Sequence, residues 1–274
     1  VRVASGLTLW ASPLGAQVSP AHFESILWLH GGPPRAAKFF TAVKAAGYSA
    51  VSVSGGADAA MPGAHGLRYY HDQLCGKGVL EMRSVQYDPV LKAYSLDRDA
   101  STLVRPACLS DSKVLVALLG VVGKRLAKSL PNQPWAISLG DEVSVTSHAN
   151  PLDLCMAPAS LAAFRRFLAA RYQSIGKLNT RWQTNFASFE RVMPFTADKI
   201  RARELGGDTL PDCLEPWAVQ RGFMDREFAR VIGLLTTAVS SRDNAPPVGL
   251  TGIQQPSAYG GHDYAQLLPL CSFY

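Results

Sequence analysis

The 274-residue sequence is short of the features that mark several large protein classes. It has only five cysteines, Cys75, Cys108, Cys155, Cys213 and Cys271, widely spaced and without a C-x-x-C pair. A zinc ribbon and a thioredoxin-like redox motif are therefore unsupported, and buried free thiols are the simpler reading. The thiols leave the compartment open. No uninterrupted apolar run approaches the ~18 residues of a spanning helix, which excludes a helical membrane span. Charge is modest and dispersed, with 27 basic residues against 21 acidic ones and a formal net charge of +6. The densest basic group, Arg165, Arg166 and Arg171, lies within an amphipathic pattern, so nucleic acid is not an expected partner. Chemical motifs are missing too. There is no G-x-S-x-G, Gly123-Lys124 lacks the rest of a phosphate-binding loop, and Gly76-Lys77-Gly78 lacks the third glycine of a dinucleotide fingerprint. Serine-hydrolase, nucleotidase and dehydrogenase chemistry is disfavoured.

What is present is a globular composition, 47% hydrophobic, arranged as alternating strand and helix signals. Residues 25–30 read as a strand closed by the turn Gly31-Gly32-Pro33-Pro34. A helix follows with Phe39, Phe40, Val43 and Ala46 on one face and Gly47 just past its end, then a strand at 50–54. That is a βαβ unit and implies parallel pairing. Residues 55–78 read as a long loop over one end of the sheet and 79–83 as a third strand. Asp111 is placed to cap a helix striped by Leu115, Leu119, Val122, Leu126 and Leu130, and 135–139 form a fourth strand ending in Gly140-Asp141-Glu142. Ser160 is placed to cap the next helix, with Leu161, Phe164, Leu168 and Tyr172 inward. Pro216 opens a long helix carrying Met224, Phe228, Val231, Leu235 and Val239. Residues 247–253 and 268–274 read as a fifth and a sixth strand.

Repeated βα units favour a (β/α)8 TIM barrel of the α/β class, with about six of the eight units in the chain. The expectation is one domain over 1–274, with 1–24 as a lead-in and the barrel incomplete at its C-terminal end. Two open sheet edges would then invite pairing with further chain segments or a second copy of the chain.

Asp141-Glu142 is the leading chemical candidate. Both carboxylates follow an apolar strand, so they emerge at the C-terminal rim, where barrel enzymes hold their catalytic groups. Adjacent strand residues face opposite ways, so one carboxylate can face the axis while its neighbour braces it. The competing reading is an ordinary acidic loop. Further candidates are Trp28 and His30 closing the first strand, Tyr70 and Asp72 in the long loop, Gln254 after the fifth strand and Tyr274 at the end of the sixth. Sugar sites combine aromatic faces with amide and carboxylate hydrogen bonds, which these types supply.

The segment PWAISLGDEVS, followed by LAAFRRFLAARYQSIGKLNTRWQTNFASFERVMP, resembles the catalytic domain of family 42 β-galactosidases and related clan A glycoside hydrolases. In that family's pattern a strand ends in Asn-Glu and is followed by a helix of the form FRxWLxxRYgsixxLNxxWgTxF. Phe164-Arg165-Arg166-Phe167-Leu168, Arg171-Tyr172, Ile175, Leu178-Asn179, Trp182, Thr184 and Phe186 match it in register. The resemblance implies a retaining glycosidase acting on β-linked galactosides or a related oligosaccharide or polysaccharide, without a cofactor. Glu142 takes the position of the general acid/base. The nucleophile would be a second Glu on a seventh strand, expected beyond Tyr274. The chain departs from the pattern at Asp141, where the family has Asn: ionised Asp accepts hydrogen bonds but cannot donate one to a sugar hydroxyl. Some members carry a cysteine zinc cluster after this strand. Only Cys155 lies there, so no metal site is expected. Trp182 reads as packing, since it continues the face of Ile175 and Leu178. The alternative is a non-catalytic carbohydrate-binding or scaffold module on a degenerate barrel.

Overall fold

The computed structural model describes residues 25–29, 36–54, 59–207, 214–252 and 257–274. Its elements in chain order are β1 (Ile26–Leu27), α1 (Ala37–Ala45), β2 (Ala50–Ser54), α2 (Ala60–Ala64), β3 (Arg68–Asp72), α3 (Ser84–Asp97), α4 (Ser112–Ser129), β4 (Ala136–Asp141), α5 (Pro158–Tyr172), α6 (Ile175–Trp182), α7 (Ala197–Leu205), α8 (Glu215–Ser240), β5 (Val248–Thr251) and α9 (Tyr264–Leu267). The strands form one parallel sheet in the order β1-β2-β3-β4-β5. Each strand pairs with the next in sequence and the order never reverses. A doubly wound sheet needs such a reversal, whereas a (β/α)8 barrel needs its absence. The fold is that of a TIM barrel, seen here over five strands and the helices between them.

The sheet is two-faced because side chains alternate. Val51 and Val53 of β2 pack outward against Phe40 and Val43 of α1. Ile137 and Leu139 of β4 and Val248 and Leu250 of β5 join the larger core, with Val122 and Leu126 of α4, Phe164 and Leu168 of α5, and Phe228, Val231 and Leu235 of α8. The five apolar positions expected for α8 are all buried. Trp182 is packing, as its spacing indicates: it is 1% exposed, and its indole N–H donates to the Tyr172 hydroxyl at 2.9 Å.

Several elements depart from the sequence reading. Within 55–78, the described part holds α2 and β3, so Tyr70 and Asp72 are strand residues. The glycines around that stretch hide an Arg-Tyr-Tyr-His-Asp segment whose tyrosines favour a pleated strand. Residues 79–83 form a turn and bend rather than a strand and join no sheet. Met82 N–H donates to Thr146 O, and Ser144 N–H donates to Leu80 O, so this stretch pairs with the loop after β4. Helix α3 was not anticipated, because it contains Pro89 and buries only Tyr87 and Tyr94, a stripe too thin to read. Gln86 nevertheless caps it, accepting from the Arg83 amide at 3.0 Å. Ser160 lies inside α5, whose N-cap position is Ala157 with Pro158 next. The expected sixth strand is reduced to one parallel bridge between Gly249 and Phe273, because 268–270 turn as a 3-10 helix around Pro269.

In α4 the Asp111 cap is present, accepting from the Lys113 amide at 2.8 Å. The buried stripe, however, is Leu118, Val122, Leu126 and Ser129, while Leu119 is 36% exposed. Leu118→Ala is expected to cost about 2–5 kcal/mol and Leu119→Ala less than about 1 kcal/mol. Urea denaturation of the two variants reads the difference, and equal losses would contradict this helix orientation.

Candidate active site

The C-terminal ends of β2, β3, β4 and β5 are Ser54, Asp72, Asp141 and Thr251. Four polar side chains thus share one rim. β3 sorts its residues by face. Tyr69 and His71 turn outward to the end of α4, where the tyrosine hydroxyl donates to Ser129 O at 2.6 Å and His71 Nδ1 lies 2.8 Å from Ser129 Oγ. Tyr70 and Asp72 turn to the opposite, inner face. There the Tyr70 ring sits 5.3 Å from Trp28 and 6.1 Å from Phe273 between centroids. Its hydroxyl lies beside those of Ser138 and Thr251, which bond each other at 2.9 Å, yet it has no aligned hydrogen bond of its own among the described residues. Burial pushes the Tyr70 phenol up to about 12, so it stays a neutral donor.

Asp72 is 4% exposed and one of its carboxylate oxygens has no partner among the described residues. Burial first, and the neighbouring Asp141 charge second, push its pKa up to about 6. The inner face therefore presents an acidic pair and a phenol in a restricted space, with small residues beside them. A Cβ on Gly252 would fall 1.7 Å from Asp141 Oδ1, and Gly252 itself has a φ of +60°, so only glycine admits the Asp141 carboxylate.

Glu142 leaves the strand differently. The β4–β5 ladder shifts register between Ser138 and Asp141, a bulge of the kind that re-aims side chains. The Glu142 amide donates to Thr251 O at 3.1 Å, and its φ of 51° lies in the left-handed region, uncommon for a residue with a Cβ. The side chain is 47% exposed, and its carboxylate lies 3.9 Å from His148 Nδ1. It lines a cleft of about 420 Å3 with Lys77, Glu81, Met82, Arg83 and His148. Lys77 bridges the two halves of the rim: its ammonium donates to Glu81 at 3.0 Å and to Asp141 O at 3.3 Å. Burial raises the Glu81 pKa despite that partner.

Of the residues expected from sequence, the structure gathers Trp28, Tyr70, Asp72 and Asp141 on the inner side of the rim. Glu142 lies next to them over the cleft. Tyr274 packs edge-on to Tyr264 at 5.5 Å, with its hydroxyl buried and unpartnered among the described residues. His30 and Gln254 lie outside the described residues. Sequence reading missed Lys77, Glu81, His148, Ser138 and Thr251. Thr251 had a usable signal, since it ends a strand that was recognised; Lys77, Glu81 and His148 come from connections and had none. Among the described residues no group of three or more His, Cys, Asp or Glu is placed to hold a metal ion. None of the described helices is long and apolar enough to cross a membrane.

Against known proteins, the glycoside hydrolase family 42 model, described as β-galactosidase, matches residues 123–195. That segment holds β4, Glu142, α5 and α6. Over that segment the chain resembles family 42 β-galactosidases. No curated protein sequence matches it. Among solved structures, the chain is similar to the β-galactosidase of the psychrophilic Marinomonas ef1, with a TM-score of 0.61 at 11% identity over 91% of this chain. It is also similar to the β-galactosidase of the Antarctic haloarchaeon Halorubrum lacusprofundi (0.57, 13%, 89%) and to the catalytic domain of a β-amylase from Paenibacillus polymyxa (0.54, 13%, 90%). It spans 40% and 38% of the two β-galactosidase chains and 73% of the β-amylase domain. At these identities the likeness establishes the fold.

Asp72 supplies a stability test of the rim. Its carboxyl holds a proton more tightly in the folded chain than in the unfolded one, so its contribution favours folding at low pH and is lost as pH rises from about 4 through about 6. Asp72→Asn, which cannot ionise, should exceed the wild type in stability at pH 7 by about 1–3 kcal/mol. The gap should close near pH 4. Urea denaturation at both pH values measures it, and a gap independent of pH would rule out the buried charge as its origin.

Proposed function

We propose that this chain carries the acid/base part of a retaining glycoside hydrolase that cleaves β-linked galactosides or a related glycan. The observation that carries the reading is the position of Glu142: at the end of β4, re-aimed over a cleft, inside the segment matched by the family 42 model. A retaining mechanism needs one carboxyl protonated to deliver a proton to the glycosidic oxygen and another, about 5–5.5 Å away, ionised to attack the anomeric carbon. Glu142 is assigned the first role and then, in the second half of the reaction, removes a proton from water. The nucleophile, a second carboxylate, is matched to no described residue. Trp28 and Tyr70 would offer aromatic faces to the sugar, and Asp72 and Asp141 would take its hydroxyl groups; His30, Gln254 and Tyr274 remain assigned to substrate binding on residue type alone.

A second reading has a specific observation in its favour. Asp141 stands where the family pattern has Asn, and its carboxylate is wedged against Gly252 beside the acidic Asp72, an arrangement suited to accepting sugar hydroxyls without chemistry. On that reading the same rim is a carbohydrate-binding surface.

Assays of the full-length protein on chromogenic β-galactosides separate the two. Glu142→Gln should lower kcat by about 10²–10⁴-fold on substrates with poor leaving groups, and far less where the leaving group departs without a proton. Turnover unchanged by the substitution, or no turnover by the wild type with sugar binding retained, would leave only the binding surface.

A further inference from the structure

Away from the rim, α4, α5 and α8 meet in a groove of about 520 Å3 that shares no lining residue with the Glu142 cleft. Its floor is apolar. Phe167 and Phe223 lie there with ring centroids 5.6 Å apart. Its walls are basic. Arg166 stands one residue before Phe167 on α5, and Arg226 and Arg230 follow Phe223 on α8 at helical spacing, so they share its face. The Arg226 guanidinium lies over the Phe167 ring at 5.8 Å. The one carboxylate lining the groove, Glu227, is already engaged: it accepts from Arg230 at 3.1 and 2.9 Å and from the Ser110 hydroxyl at 2.7 Å. Arg166 and Arg226 are exposed and have no carboxylate or hydrogen-bond partner among the described residues. The amino end of α4 also opens here through Ser112, its partial positive charge already met by the capping Asp111 carboxylate.

Two unpaired guanidinium forks over an aromatic floor match a ligand that carries anions on a body with apolar faces. We propose that this groove is a second carbohydrate site, one that takes an anionic glycan. Its sulfate or carboxylate groups would sit on Arg166 and Arg226, and a sugar C–H face would sit on Phe167. The choice of a glycan over another polyanion rests on the reading of the rim as a carbohydrate site; the groove's preference for anions does not.

Calorimetric titration of the full chain tests this with four probes: a sulfated galactan, polygalacturonate, a neutral galactan and poly-L-glutamate. The wild type should bind the sulfated or the carboxylated glycan, whichever carries the right anion, more tightly than the neutral galactan, which the rim alone would take, and that excess affinity should fall as salt rises. The double variant R166E/R226E should lose about tenfold or more in affinity. K38E/K44E, the same charge change on exposed positions of α1, should not. Glu142→Gln should leave this binding intact, so failure of the catalytic reading does not remove it. The proposal is overturned by absence of binding, by equal binding of poly-L-glutamate, by an equal loss in K38E/K44E, or by self-association that R166E/R226E abolishes without any glycan binding.

Discussion

The rim depends on one junction, where the Glu142 amide donates to Thr251 O across a bulged ladder. A regular strand would send Asp141 and Glu142 to strictly opposite faces. The bulge and the left-handed backbone at Glu142 instead leave Asp141 against Gly252 on the inner side and swing Glu142 over the connection that follows β3. Non-glycine residues in that backbone region cost free energy, and the surroundings must hold them there. Here the holding is done from several sides. His262 Nε2 lies 2.7 Å from Val143 O, the Val145 amide donates to Gly260 O at 2.9 Å, and the buried Arg105 guanidinium donates to Val145 O at 2.9 Å.

The acidic residues of the rim differ in their surroundings. Asp72 is enclosed by strand neighbours and by Tyr70, and the adjacent Asp141 charge adds to the cost of ionising it. Lys77 pairs with the Glu81 carboxylate at 3.0 Å and donates to the Asp141 carbonyl oxygen at 3.3 Å. Glu142 is half-exposed, with its carboxylate 3.9 Å from the imidazole of His148, an exposed pairing of modest strength. A buried acid that stays protonated to near neutral pH beside an ionisable partner in a cleft is a setting in which hydrogen bonds to sugar hydroxyls can be both donated and accepted.

How much was legible in the sequence differs between elements for identifiable reasons. Helix α8 and Trp182 were read correctly because long runs of apolar side chains at helical spacing have one low-energy arrangement, burial. Helix α4 was recognised but turned slightly, since Leu118 and Leu119 are chemically equivalent and only the neighbouring α8 distinguishes them. β3 does not show as a strand in the sequence because its Arg-Tyr-Tyr-His-Asp pattern is polar on the outer face too, where His71 and Tyr69 meet Ser129. Residues 79–83 read as a strand by residue type but turn and find a loop for a partner, a choice made by distant backbone groups.

By itself the sequence determined the class of fold, the parallel βα repeat, the helix motif of the family 42-like segment and the presence of two carboxyl groups at the end of β4. These follow from local periodicity and residue type, which act over a few turns of chain. Tertiary structure alone decided that Asp72 and Tyr70 share the inner face with Asp141, that Glu142 turns toward Lys77, Glu81 and His148, and that Arg166 and Arg226 flank a groove between α4, α5 and α8. The reason is physical: electrostatic and steric contacts between residues far apart in sequence depend on which strands pair and in what register, and no local pattern encodes that.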